Sequence, residues 1–267
     1  MLQLIIVLSL VQGLTEFLPI SSSGHLAMIQ VLWRVPLPGL LFEALVHLGT
    51  LLSVLWVFRR RIGLLFTALV RRDENRHLLG LIILGTIPTA LLGLLLNPWI
   101  ERAFGSLLVV GLGLLSSGGL LFLAARVSGR SARTSRGLSE MTVVDALLIG
   151  LAQGIAILPG VSRSGFTIGV GLLLGLERGL AAEFSFLLAG PVILGATVLK
   201  GWEALHEPAA HVGLAGPYLI GTALAAVTGV LAIGGLLRLI RRGRLAPFAY
   251  YCWAVGLSAI LLFSLRR

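Results

Sequence analysis

The chain predicts an all-α integral membrane fold: an inverted-topology repeat with six transmembrane helices and two re-entrant helix-loop-helix hairpins. Three observations carry this. Of 267 residues, 57% are hydrophobic and 12% charged, and the mean hydropathy is +1.00, more apolar surface than a soluble core can hide. Six apolar runs have the length of a bilayer crossing. One segment is written twice: Gln12 to His25 aligns without a gap, at an offset of 141, with Gln153 to Phe166, and five positions are identical.

The elements follow in order. Segment 2–33 has two apolar arms around Pro19 and the cluster Ser21, Ser22, Ser23 and Gly24. It predicts a re-entrant hairpin, whose non-helical tip is tolerated at membrane depth only where protein or a water-filled cavity surrounds it. The segment lacks a basic leader and holds Gln12 and Glu16, so it reads as mature structure rather than a signal peptide. Three spans follow at roughly 40–58, 79–96 and 104–125. Segment 143–176 repeats the hairpin around Pro159 and Gly160, and spans at roughly 183–200, 217–238 and 246–264 complete the chain. Two full crossings per hairpin are the alternative. The whole, 1–267, is a single membrane domain, with repeat one at 1–141 and repeat two at 142–267.

Charge sets the orientation. The formal net charge of +10 sits in clusters between apolar runs, which suits membrane topology and not nucleic acid. Arg59, Arg60, Arg61, Arg71, Arg72 and Arg76 follow the first span; Arg126, Arg130, Arg133 and Arg136 follow the third; Arg238, Arg241, Arg242 and Arg244 separate the last two. All fall on one side, the cytoplasmic one, with Arg266 and Arg267 as an exception. A hairpin, or two crossings, returns to its starting side, so three spans per half turn the second repeat upside down. The tips at 19–24 and 159–165 then meet near the midplane. Cys252 is the single cysteine, which rules out an intrachain disulfide and a thiolate metal site.

The two tips differ where chemistry differs. Glu16, Ser22 and His25 in the first copy face Ile157, Arg163 and Phe166 in the second. Gln12 and Glu16, four apart, share a helix face. Pro19 disfavours continuation of the first arm, while Ser21, Ser22 or Ser23, and Ser162 or Ser164, can cap the arms that follow. Two helix N-termini facing one cavity suit a phosphate, and Arg163 adds a forked, permanently charged donor. A central ionisable residue costs about 2.5–3.5 kcal/mol on insertion scales, so Glu16 and Arg163 need a reason. They serve a phosphate site or, more simply, lock the repeats together. Glu43 and Glu183 begin corresponding spans, and His47 lies one turn past Glu43, where a second pair is conceivable. His77, His206 and His211 fall in loops. A Walker loop is excluded, because the only lysine, Lys200, stands in another context.

With these residues the chain closely resembles the bacitracin-resistance type undecaprenyl-diphosphate phosphatases of bacterial membranes. The family's first signature matches Gln12, Glu16 and Ser21 to His25; its second matches Pro159, Gly160, Ser162, Arg163, Ser164 and Thr167. The resemblance implies hydrolysis of undecaprenyl diphosphate to undecaprenyl phosphate and inorganic phosphate, with a divalent cation, Mg or Ca. It also implies a multi-pass protein of the cytoplasmic (inner) membrane that recycles the lipid carrier for cell-wall synthesis. Carried over by position, Glu16, Ser22, His25 and Arg163 are the expected catalytic set. Ser21, Ser23, Gly160, Ser162, Ser164 and Thr167 are expected to bind substrate, and Glu16 with Gln12 to hold the metal. Gln12 replaces the Glu of many members, and a neutral amide is a weaker ligand for a hard cation. Ser22 attack, with His25 or Glu16 taking its proton, and direct attack by water are both open. The expected partner is a polyprenyl diphosphate lipid, and a homodimer is allowed for. A lipid or ion transporter using the same midplane site is the alternative function.

Overall fold

The computed structural model describes residues 1–33, 39–68, 74–130, 135–205 and 214–265, and every extended element among them is helical. In chain order these are α1 Leu2–Phe17, α2 Ser22–Trp33, α3 Leu40–Val57, α4 Arg59–Thr67, α5 Glu74–Phe104 and α6 Leu107–Arg130, then α7 Val143–Ile155, α8 Arg163–Leu173, α9 Arg178–Leu205, α10 Ala215–Arg241 and α11 Ala246–Ser264. α5, α6, α9, α10 and α11 are each long and apolar enough to cross a bilayer. A sixth span comes from α3 taken with α4, which bends away by 76°. The bend falls where Arg59, Arg60 and Arg61 begin, and three successive cations stay at the interface rather than follow α3 into hydrocarbon. The protein is therefore a multi-pass membrane protein.

Both predicted interruptions are present. α1 stops at Phe17 and α2 starts at Ser22; α7 stops at Ile155 and α8 starts at Arg163. The caps fall on equivalent positions of the repeated segment. Ser21 Oγ accepts from the Gly24 N–H at 3.2 Å, and Ser162 Oγ accepts from the Gly165 N–H at 3.1 Å. Each satisfies a donor that the start of a helix leaves without an intrahelical partner. Gly160, at φ +84°, has no room for a side chain, since a Cβ there would stand 2.1 Å from the Val110 carbonyl oxygen.

Packing exchanges the halves. α1 lies on α10, while α7 lies on α5; α3 runs along α9, and α6 along α11. Small residues let these backbones approach, as helices in lipid require. A Cβ on Gly221 would meet Ser9 and Ile5 of α1, and one on Gly85 would meet Ala146 of α7. The α3–α9 pair is clamped at both ends in the same exchanged manner. Glu43, at the start of α3, pairs with Lys200 near the end of α9; Arg61, just past α3, pairs with Glu183 near the start of α9 at 2.7 Å. Between them Leu51 of α3 packs with Ala189 and Ile193 of α9, and in the largest apolar core among the described residues Phe17 meets Phe186 edge-on at 5.7 Å.

The connection between halves is tied by Arg136. Its guanidinium donates to the Asp145 carboxylate at 2.6 and 3.2 Å and to the carbonyls of Glu140 and Leu174. Asp145 in turn closes a capping box with Thr142 at the start of α7. Two expectations change here. His77 belongs to the first turn of α5 rather than a loop, with Nε2 on the Met141 carbonyl at 2.9 Å, and residues 97–103 continue α5. His206, His211, Arg71, Arg72, Arg133, Arg266 and Arg267 lie outside the described residues.

Backbone contact between α5 and α7 makes Gly150 the most demanding small position, because a Cβ there would lie 1.9 Å from the Gly85 carbonyl oxygen. Gly150→Ala is expected to destabilise the detergent-solubilised protein by about 1–3 kcal/mol, as overpacking does. Gly63→Ala, with no atom of the described residues within 4 Å of the added methyl, is the neutral control in the same thermal-unfolding measurement.

Candidate active site

The two helix breaks meet between α6 and α11. Gly113 of α6 presses against Pro159, Gly160 and Val161, and Cys252 of α11 donates its thiol to the Pro19 carbonyl at 3.3 Å. Tip contacts tip directly. Ser164 Oγ donates to the Leu18 carbonyl at 3.0 Å, and the Gly160 N–H reaches Ser23 Oγ at 3.4 Å. Ser117 of α6 braces the second tip by accepting the Ser162 N–H at 2.9 Å. The N-terminal ends of α2 and α8 are thereby brought to one place, each with its positive dipole end.

Glu16 is the hub. Only 7% of it is exposed, and its carboxylate takes hydrogen bonds from Gln12 Nε2 at 2.9 Å and from the Ser22 hydroxyl at 2.6 Å. Its other oxygen is ion-paired with the Arg163 guanidinium, which reaches across from the start of α8. Buried charge is tolerated when paired and hydrogen-bonded, and each of these bonds is charge-assisted. Gln12 contributes one more feature: its Oε1 is buried and has no hydrogen-bond partner among the described residues. Beside the hub, His47 uses Nδ1 on the Glu43 carbonyl at 2.7 Å, while the Glu43 carboxylate goes to Lys200 and not to the histidine.

Burial divides the ten tip residues expected to be catalytic or substrate-binding. Glu16, Ser21, Gly160, Ser162, Ser164 and Thr167 are buried, whereas Ser22, Ser23, His25 and Arg163 keep some exposure. The buried hydroxyls are already engaged: Ser21 and Ser162 cap helices, and Thr167 Oγ1 contacts the Arg163 carbonyl at 2.8 Å and Ser185 at 2.5 Å. They shape the tips, and the accessible four form its face. His25 is not joined to Ser22. Its Nδ1 is 2.7 Å from the Ser21 carbonyl and its Nε2 is 2.8 Å from the hydroxyl of Tyr251, the two rings lying nearly parallel, with 5° between planes. Tyr251 escaped the sequence reading, because a tyrosine in an apolar span is ordinary and only folding brings α11 to the first tip.

The chain matches the family described as "Bacitracin resistance protein BacA" over residues 5–258. It is 43% identical to the undecaprenyl-diphosphatase of Carboxydothermus hydrogenoformans, covering 96% of this chain and 95% of that protein. The undecaprenyl-diphosphatase of Moorella thermoacetica is also 43% identical, with 98% of each chain covered. That of Halothermothrix orenii is 41% identical, with 97% of this chain and 96% of the relative covered. A match of this extent, with Glu16, Ser22 and Arg163 gathered at the junction of its two tips, makes the chain a member of the BacA family.

Proposed function

We propose that the protein hydrolyses undecaprenyl diphosphate to undecaprenyl phosphate and inorganic phosphate, recycling the lipid carrier for cell-wall synthesis in the bacterial cytoplasmic membrane. The observation that carries the reading is the Ser22 hydroxyl, donated to a carboxylate that is itself paired with Arg163 inside a membrane protein. Full-length similarity to proteins named undecaprenyl-diphosphatase supplies the substrate.

The resting ion pair sets the mechanism. Arriving diphosphate competes with Glu16 for Arg163, whose planar fork matches phosphate oxygens. Once Arg163 turns to the phosphate, Glu16 gives up that ion pair and keeps the hydroxyl it already holds, as the acceptor for its proton. Ser22 Oγ then attacks the terminal phosphorus while Glu16 takes its proton. The bond from phosphorus to the bridging oxygen breaks, and undecaprenyl phosphate leaves. Water next attacks the phosphoserine, releasing inorganic phosphate and restoring the serine. Arg163 neutralises charge on the phosphoryl oxygens in both steps.

A divalent cation, Mg or Ca, fits the oxygen donors present: the Glu16 carboxylate and the orphaned Gln12 Oε1 would hold it. When bound it would supply charge neutralisation to the phosphate oxygens. We read the two halves as inverted repeats and segments 2–33 and 143–176 as re-entrant hairpins. The exchanged packing of α1 on α10 and α7 on α5, and the mirrored pairs Glu43 with Lys200 and Glu183 with Arg61, support this.

Purified protein is expected to release phosphate from polyprenyl diphosphate with magnesium or calcium present; none released, with lipid moved across liposomes instead, would sink the enzyme. Arg163→Ala and Glu16→Gln are expected to lower kcat/KM by about 10²–10⁴. Ser22→Ala is expected to be inactive, and acid quenching of the wild type to trap phosphoserine; full activity in Ser22→Ala removes the covalent route. Chelation with EDTA is expected to abolish turnover, and added magnesium or calcium to restore it.

A further inference from the structure

The His25–Tyr251 pair has a direction that chemistry fixes. A carbonyl oxygen only accepts, so the 2.7 Å contact to Ser21 requires the proton on Nδ1. In the neutral ring the remaining lone pair is on Nε2, and it faces the Tyr251 hydroxyl at 2.8 Å, which must then donate. Both ring nitrogens are engaged away from Ser22, whose hydroxyl goes to Glu16.

What the ring holds is unusual. Ser21 is the one non-glycine residue with positive φ among those described, at +67°, a conformation that costs about 1–2 kcal/mol for an L residue. Its carbonyl receives both the His25 backbone N–H, at 3.3 Å, and the imidazole, and its hydroxyl caps α2. This left-handed residue immediately precedes Ser22 and sets the direction in which the next hydroxyl leaves the backbone. At the second tip the equivalent residue, Ser162, has φ −81°, and Phe166 stands in place of His25. The strained turn and the imidazole occur together, only on the tip that carries the serine and the acid.

The geometry points to Tyr251 as a positioning residue: its hydroxyl commits His25 to the Nδ1–H tautomer, and His25 thereby holds the left-handed Ser21 turn that aims Ser22 at Glu16. The inference rests on the proposed phosphatase activity. It assigns His25 to holding the tip rather than to accepting the Ser22 proton, and it makes the last helix, 226 residues away, part of the site.

Four variants test it: Tyr251→Phe, His25→Asn, His25→Ala and the double variant Tyr251→Phe/His25→Asn. Asparagine places an amide N–H close to where Nδ1–H stood but cannot take a proton. Tyr251→Phe, which keeps the ring and removes only the hydroxyl, is expected to lower kcat about ten-fold at unchanged KM and with an unchanged melting temperature, the scale of one lost hydrogen bond. His25→Asn is expected to stay within about ten-fold of wild type, with no further loss on adding Tyr251→Phe, while His25→Ala falls well below both. Wild-type kcat in Tyr251→Phe, or a folded His25→Asn as inactive as His25→Ala, overturns the inference. In ¹⁵N-histidine-labelled protein, Tyr251→Phe is expected to shift the Nε2 resonance that His25→Asn removes; an unmoved resonance overturns the hydrogen bond itself. If the wild type releases no phosphate, the proposed activity fails and the role in the reaction with it, while the resonance still reports on the bond.

Discussion

A carboxylate inside a membrane protein has to be neutralised, and the arrangement around Glu16 follows from that requirement. Three groups meet it: an amide one turn earlier, a hydroxyl across the first break, and a guanidinium from the other half of the chain, 147 residues on. The last of these dominates, because removing one partner from a buried pair leaves the other charge uncompensated. Folding the halves together and building the site are therefore one event. The same pair ties α1 to α8 and so joins the two halves of the chain.

The rest of the molecule keeps that junction in register. Each tip is a helix break whose backbone finds partners within the protein. Pro159, Gly160 and Val161 are pressed by Gly113, and Pro19 accepts from Cys252. Farther out, the ion pairs at both ends of α3 and α9 stop the two helices sliding past one another.

Within this symmetric frame the chemistry is asymmetric. Ser21 and Ser162 cap their helices identically, yet only Ser21 adopts a left-handed backbone, and only its tip carries the acid, the serine and the imidazole. Burial then separates the roles. Ser162, Ser164 and Thr167, which sequence motifs group with Arg163, spend their hydroxyls inside the protein and shape the turn that presents it.

The sequence by itself determined the class, the helices and the residues of the junction. Apolar run length reports membrane helices directly, and Pro19 and Gly160 mark breaks that helical geometry cannot absorb. The doubled segment brought Glu16 and Arg163 into one hypothesis before any coordinate. It also read Glu43 and Glu183 as counterparts, and the structure gives each a cation from the opposite span. Only the tertiary structure decided the bonding inside the junction. Which group holds the Ser22 proton, which hydroxyls keep some exposure and which are consumed as caps depend on distances of a few ångströms between segments far apart in the chain. His25 shows the limit most clearly. Its motif marks it as important, yet its partner Tyr251 carries no pattern of its own and becomes part of the site only because α11 packs beside the first tip.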